Sequence, residues 1–196
     1  MKSNVVLLGL VSFLTDVSSE MIYPLVPIYL TAVLGASPAV LGLIEGTAER
    51  LASFLKAYAG RMSDGTGRRK PLTMGGYGLS AAGKALFIAA TSWSWIFWAR
   101  VADRFGKGIR SAPRDALISE SVPPEERGRA FGLHRALDTA GAVTGILVAY
   151  FLFTRYEGQY MIVFVAALVP AILGTGLLLF VRETGRNKGS VAAAAV

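Results

Sequence analysis

The stretch WSWIFWARVADRFGKGIRSAPRDALISE, from Trp93 to Glu120, decides the fold. It opens as a membrane segment, with Trp93, Trp95, Ile96, Phe97 and Trp98, and then runs into charge without leaving an apolar context. Spacings of three and four residues put Arg100, Asp103, Arg104, Lys107, Arg110 (or Ser111) and Arg114 along one side of a helix. A charge facing lipid costs about 2.5–3.5 kcal/mol on insertion scales. The stripe must therefore face protein or a water-filled cavity. The alternative is a helix that ends near Arg100 and gives way to a cytosolic loop. Gly106, Gly108 and Pro113 allow it, because they weaken a helix. Ala116, Leu117 and Ile118 argue against it by resuming an apolar face past Pro113.

The rest of the chain agrees with a membrane. Of its 196 residues, 53% are hydrophobic and 17% charged, whereas soluble domains carry about 25% charged residues. The apolar runs are too long and too many for one soluble core. The absence of Cys excludes a disulfide framework and any Cys-based metal or redox site. A lone His, His134, excludes a multi-His metal site within the chain. No cofactor is expected. The start, Lys2 followed by an apolar run from Val5 to Leu14, imitates a signal peptide. No small-residue cleavage pattern closes that run, and apolar character resumes to Leu34.

Six spans are expected, at about 4–34, 38–62, 72–90, 93–121, 129–153 and 160–181, followed by a cytoplasmic tail over 182–196. Pro38 suits a first helical turn. The connections fix the orientation. One set holds Lys2; Arg61, Arg68, Arg69 and Lys70; Arg127 and Arg129; then Arg182, Arg186 and Lys188. The other set holds only Arg155. Lys and Arg accumulate on the cytoplasmic side. Both termini are therefore expected in the cytoplasm, which agrees with an even number of spans. This asymmetry also accounts for half of the basic residues behind the net charge of +7, with no nucleic-acid partner.

Charge within the spans is unevenly shared. Span 1 has Asp16 and Glu20 at i, i+4. Span 2 has Glu45, Glu49 and Lys56 along one face, with Arg50 beside it. Span 5 has His134 and Asp138 at i, i+4, with Arg135 adjacent. Span 3 has only Lys84, and span 6 has none. Spans 1, 2, 4 and 5 are thus polar on one side and expected to line one cavity, with spans 3 and 6 toward lipid. The pattern polar, polar, apolar occurs twice, as in the inverted repeats of secondary transporters. The competing account is that these charges only pair with one another to hold the bundle.

The connection after span 2 reads Gly60, Arg61, Met62, Ser63, Asp64, Gly65, Thr66, Gly67, Arg68, Arg69, Lys70. Its glycines permit a tight reversal between two helices, and its bases hold it at the anionic cytoplasmic leaflet. Asp64 can accept backbone N–H bonds or pair with a neighbouring Arg. In this position the combination resembles the signature loop of the major facilitator superfamily, with Gly60, Asp64, Gly67, Arg68 and Arg69 matching. Gly65 departs from the pattern, because a basic residue usually follows the Asp. Arg100 with Gly106 and Gly108 resembles the superfamily's fourth span. The run from Pro123 to Arg129 resembles its loop before span 5. Asp16 followed by Pro24 and Pro27 is similar to its first span. Gly141, Thr144 and Gly145 only partly resemble the fifth-span motif of antiporters. Ile146 stands where that motif has Pro, so antiport is not carried over. The resemblance covers essentially the whole chain but only one half of a twelve-span family member.

The resemblance implies an all-α membrane protein, six transmembrane helices in a 3+3 inverted-repeat bundle that is half of a twelve-helix fold. It implies secondary active transport of a small solute across the bacterial inner membrane by alternating access. Arg100, Arg104, Lys107, Arg110 and Arg114 outnumber Asp103 and Asp115 on span 4, so an anionic or zwitterionic substrate is expected. Arg100, Arg104, Lys107, Glu45, Glu49, His134 and Asp138 are the expected substrate contacts. If Asp16, Glu20, Glu45, Glu49 and Asp138 instead neutralise the bases, the cavity suits a cation or an amphipathic drug. Proton coupling is expected at Asp16 or Glu20, since a carboxylate that changes its Arg partner can load and release a proton. Beyond substrate and lipid, the expected partner is the missing C-terminal half or a second six-span chain. Two other classes compete. Asp64, Gly65 and Arg69 are similar to the start of a membrane phosphatidyltransferase signature. Ala82 and Leu86, however, stand where its metal-binding carboxylates belong, and no oxygen ligand remains there for a metal. A non-transporting sensor or assembly partner on the same half-fold is the third class.

Overall fold

The computed structural model describes residues 3–183. Lys2 and the tail from 184 to 196, with Arg186, Lys188 and the alanine run, lie outside the described residues. The described residues are helices and turns, with no strand among them. In order they form α1 (Ser3–Ile22), α2 (Val26–Ile28), a π-helical turn (Tyr29–Val33), α3 (Pro38–Thr66), α4 (Arg69–Ile88) and α5 (Trp93–Glu120). A 3₁₀ turn (Pro124–Glu126), α6 (Arg127–Arg155), α7 (Tyr160–Leu177) and a last 3₁₀ turn (Leu178–Phe180) complete the order.

Proline sets the breaks. Pro24 and Pro27 have no N–H, so the Glu20 and Tyr23 carbonyls lose their helical donors. Helix α1 stops at Ile22, and the chain resumes as α2 and then widens into the π turn. Helix α3 begins at Pro38, where a missing N–H leaves no partner unsatisfied. It ends only at Gly67, whose left-handed φ of 67° lets its N–H reach the Ser63 carbonyl at 2.9 Å. Gly60, Asp64 and Gly65 therefore lie inside the helix. The expected glycine-rich reversal reduces to Gly67 and Arg68. Helix α5 runs unbroken through Pro113, because Leu117 and Ile118 beyond it are fully buried and hold the last turns in place.

Two apolar cores lie at opposite ends of the bundle. One gathers Met21, Ile22, Leu30, Ile44, Phe87, Ile96 and Phe164. The other gathers Val5, Leu8, Tyr77, Leu117, Ile118 and Leu178. Along α1, α4 and α5 a set of buried polar residues falls between the two, including Ser12 and Thr15, Ser80 and Lys84, and Arg100, Asp103 and Arg110. The helices thus enclose a polar belt at mid-depth. The ends of the described chain meet at one face. There Asn4 Nδ2 donates to the Arg182 carbonyl, and the Arg182 N–H donates to Asn4 Oδ1, both at 3.0 Å.

Small residues bring the helices close. A Cβ on Gly76 of α4 would stand 2.7 Å from the Gly106 carbonyl of α5, and one on Gly141 of α6 would stand 2.5 Å from the Phe13 carbonyl of α1. Such contacts replace the hydrophobic drive that helices lack in lipid. Three stretches among the described residues are long and apolar enough to cross a membrane: Ser3–Val33, Pro124–Arg155 and Tyr160–Phe180. Helices α3 and α5 carry too many charged residues to meet the same measure. On α6 and α7, Leu147, Tyr150, Phe151, Val169, Ile172 and Leu173 point outward. Helix α4 turns one face into the bundle. Thr73, Gly76, Tyr77, Ser80, Gly83, Lys84 and Phe87 form a buried stripe on it, because its small residues allow α5 to pack tightly along it.

Candidate functional site

A cleft of about 350 Å³ opens on the bundle where four helices converge. Asp16 of α1, Lys56 of α3, and Lys107, Arg110, Ser111, Arg114 and Asp115 of α5 line it. Arg135, Asp138, Thr139 and Ala142 of α6 complete the lining. No aromatic side chain takes part. These are the four helices whose sequences carry charge on one face. A shallower depression of about 220 Å³ adjoins it, sharing Lys56, Lys107 and Ser111 and adding Glu49.

The charges sort into paired and unpaired sets. Arg100 makes a two-point contact with Glu45, its Nε 2.7 Å from Oε1 and its Nη2 on Oε2. Arg104 Nη1 lies 3.4 Å from Glu49, and both guanidinium groups stack on the Tyr23 ring at 4.0 and 5.0 Å. Arg114 pairs with Asp115 at 2.9 Å and donates to Ser12 Oγ at 3.2 Å. By contrast, Asp16, Lys56, Lys107 and Arg110 have no opposite charge within 4.0 Å among the described residues. Arg110 is 4% exposed, and its Nη1 is buried with no hydrogen-bond partner. The Tyr77 ring lies 4.3 Å away, and Asp103 and Asp16 are within electrostatic reach but beyond ion-pair distance. Low-dielectric surroundings make such an unsatisfied cation costly.

The expected site residues divide accordingly. Lys107, Asp138 and Asp16 line the cleft. Arg100, Arg104 and Glu45 do not, because they are consumed in ion pairs beside it. Glu49 is likewise paired, at the rim of the shallower depression. Glu20 sits at the α1–α6 contact beside Gly145, away from the cleft. His134 is buried behind the lining, with Nε2 2.9 Å from Ser12 Oγ and Nδ1 3.8 Å from Asp138. At the signature segment, Arg69 bridges Asp64 at 3.3 Å and Glu120 at 2.7 Å, while Arg68 is exposed. Gly60 packs toward Ala112, and Gly67 ends α3.

Sequence reasoning missed the centre of the belt. Asp103 accepts hydrogen bonds from Tyr23 Oη and Ser80 Oγ, with Lys84 and Arg110 within electrostatic reach. Lys84 is fully buried and donates to the Thr15 carbonyl at 3.3 Å. A lone lysine in an otherwise apolar segment was the available signal, since an intramembrane charge is costly unless it is used. No group of three or more metal-capable side chains is gathered among the described residues.

The family model described as Major Facilitator Superfamily matches residues 8–195. The chain belongs to this superfamily. It is 40% identical over 188 residues to an uncharacterised MFS-type transporter of Methanocaldococcus jannaschii, covering 93% of this chain and 46% of that protein. It is 33% identical over 167 residues to the multidrug resistance protein MdtH of Cronobacter sakazakii, covering 85% of this chain and 38% of that one. Among solved structures it resembles a bacterial homologue of the human lysosomal transporter Spinster, with a TM-score of 0.77 and 21% identity over 95% of this chain and 46% of the other. A D-xylose–proton symporter gives a TM-score of 0.73 at 20% identity, over 97% and 50%. The structural likenesses establish the fold, an all-helical major facilitator architecture. The chain spans less than half the length of the two curated relatives. It is a membrane-embedded member of a transporter family, and its relatives are named for transport and resistance.

Proposed function

We propose that this chain forms one half of a secondary transporter for a small solute bearing a negative charge. The observation that carries the reading is the pair of cations Lys107 and Arg110, which line the cleft with no carboxylate within ion-pair distance. A visiting anion supplies the partner they lack, and a guanidinium favours carboxylate or phosphate by bidentate bonding. In this reading six helices cross the cytoplasmic membrane in a 3+3 arrangement. Both ends of the bundle lie in the cytoplasm, and Arg61, Arg68, Arg69, Lys70, Arg127 and Arg129 sit on that side. Residues 1–181 form the bundle, and the tail begins the connection to a second half. Asp16, unpaired beside Lys107 and Arg110, is the coupling carboxylate. Glu20 takes a lesser place, since it lies off the cleft.

A second reading draws on the ion pairs. Arg100 and Arg104 are already neutralised by Glu45 and Glu49, and one relative is named for multidrug resistance. A cationic or amphipathic drug would then be the cargo. The polar lining, free of aromatic rings, favours the anion. Uptake by proteoliposomes that hold this bundle together with a second six-helix bundle, under an imposed pH gradient, separates the two readings, with small carboxylates, phosphate and lipophilic cations compared. Arg110→Gln and Lys107→Gln are expected to lower anion uptake at least about tenfold each. Anion uptake that survives both changes overturns the reading. Asp16→Asn is expected to abolish the dependence on the pH gradient. Full dependence in that variant moves coupling to another carboxylate.

A further inference from the structure

The cleft holds a second orphan. Asp138 Oδ2 faces His134 Nδ1 at 3.8 Å and Arg135 Nη1 at 3.9 Å, both long, while Asp138 Oδ1 is buried with no hydrogen-bond partner. Arg135 is 83% exposed and therefore a weak partner. Two residues lining one cleft thus carry buried, unsatisfied atoms of opposite kind: the Arg110 Nη1 donor and the Asp138 Oδ1 acceptor. The charges are also segregated by helix. Arg114 and Asp115 neutralise each other. That leaves Lys56, Lys107 and Arg110 on the α3–α5 side and Asp16 with Asp138 on the α1–α6 side, where Arg135 turns largely to solvent. Asp16 and Asp138 lie within electrostatic reach of each other, and Lys107, Arg110 and Arg114 lie within reach of Asp16 across the cleft. A simple anion would satisfy one wall and be repelled by the other. A simple cation meets the reverse problem.

We propose that the cleft takes a zwitterion, with its carboxylate set against Lys107 and Arg110 and its ammonium set against Asp138. The proposal rests on the anion reading above and adds a specificity-determining carboxylate to it. An ammonium donates up to three N–H bonds and has no acceptor, which suits the unsatisfied Asp138 oxygen. Discrimination then follows from leaving a buried polar atom unpaired when the ligand lacks the matching group.

Titration calorimetry on the detergent-purified bundle, paired with the second six-helix bundle that closes its cleft, tests this with small probes of matched size. The zwitterions L-alanine, β-alanine and 4-aminobutyrate, whose charges stand progressively further apart, are compared with propionate, butyrate and ethylamine. At least one zwitterion is expected to bind about tenfold or more tightly than either carboxylate, and ethylamine more weakly than all of them. In Asp138→Asn the ratio of zwitterion to carboxylate affinity is expected to fall to about one. Should that variant fail to fold, the wild-type ranking alone decides. Carboxylates that bind as tightly as every zwitterion overturn the proposal and leave the anion reading standing. Binding of ethylamine alone, or of none of the six, overturns both.

Discussion

Asp103 shows what a buried charge demands at the scale of one residue. It is 1% exposed and is held by Tyr23, Ser80 and the cations around it. Removing it leaves the fully buried Lys84 without its main opposite charge and deepens the deficit at Arg110. Asp103→Ala is therefore expected to cost about 3–5 kcal/mol of stability. Glu49 also meets an arginine, but its side chain is 63% exposed, and Glu49→Ala is expected to cost less than about 1 kcal/mol. Thermal unfolding of the two variants in the same detergent checks the contrast, and equal losses would count against it. The spacing of Arg100 to Arg114 was enough to place these charges on one inward face. It gave no way to tell which of them spend their charge on a neighbour. Glu45 and Glu49 recur at i, i+4 on one helix, and only the packing of α3 on α5 brings them to Arg100 and Arg104. Tyr23 and Ser80 were invisible because a hydroxyl carries no periodic signature, and Lys84, though legible as the charge of span 3, pointed to no site because the rest of its segment is apolar.

At the scale of the element, glycine decides how closely α4 and α5 approach. Gly76 and Gly78 lie two residues apart on α4 and face different surroundings. A methyl group on Gly76 would press on the Gly106 carbonyl and Arg110, while one on Gly78 would meet nothing within 4 Å. Gly76→Ala is expected to destabilise by about 1–3 kcal/mol through overpacking. Gly78→Ala is expected to be neutral or to stabilise by up to about 1 kcal/mol, through helix propensity. Melting temperatures of the two variants settle the comparison, and a stabilised Gly76→Ala would refute it. At Gly67 the constraint is the backbone itself. Its φ of 67° makes Gly67→Ala cost about 1–2 kcal/mol. The extents of the long helices were legible from apolar runs and prolines. The end of α3 was not, because a charged, glycine-bearing segment from Gly60 to Thr66 reads as loop when viewed alone. It is helical because Arg69 bridges Asp64 and Glu120 and ties the end of α3 to α5.

The whole molecule presents a bundle whose charged cleft is open on one side. Its two described ends meet through Asn4 and Arg182, so they share one membrane face whichever way the bundle is inserted. The basic connections choose the cytoplasm. With no Cys in the chain, single cysteines at Arg68 and Gly128 are expected to resist an impermeant external thiol reagent and to react once the cells are opened. External labelling at either position would reverse the orientation. The open cleft leads to the final prediction. Its curated relatives are more than twice as long as the matched region, and alternating access needs two bundles rocking about a site between them. The charged cleft would otherwise open onto lipid or bulk water, where such a site is costly or ineffective. This bundle is therefore expected to move no solute when reconstituted alone as a monomer. It is expected to do so when a second six-helix bundle faces it, supplied as a covalent half, a separate chain or another copy. Mass measurement in detergent, followed by flux in proteoliposomes with and without the second half of a relative, distinguishes the cases. Flux that appears only in a dimer assigns the second bundle to another copy, flux only with the added half assigns it to a different sequence, and a transporting monomer refutes the requirement.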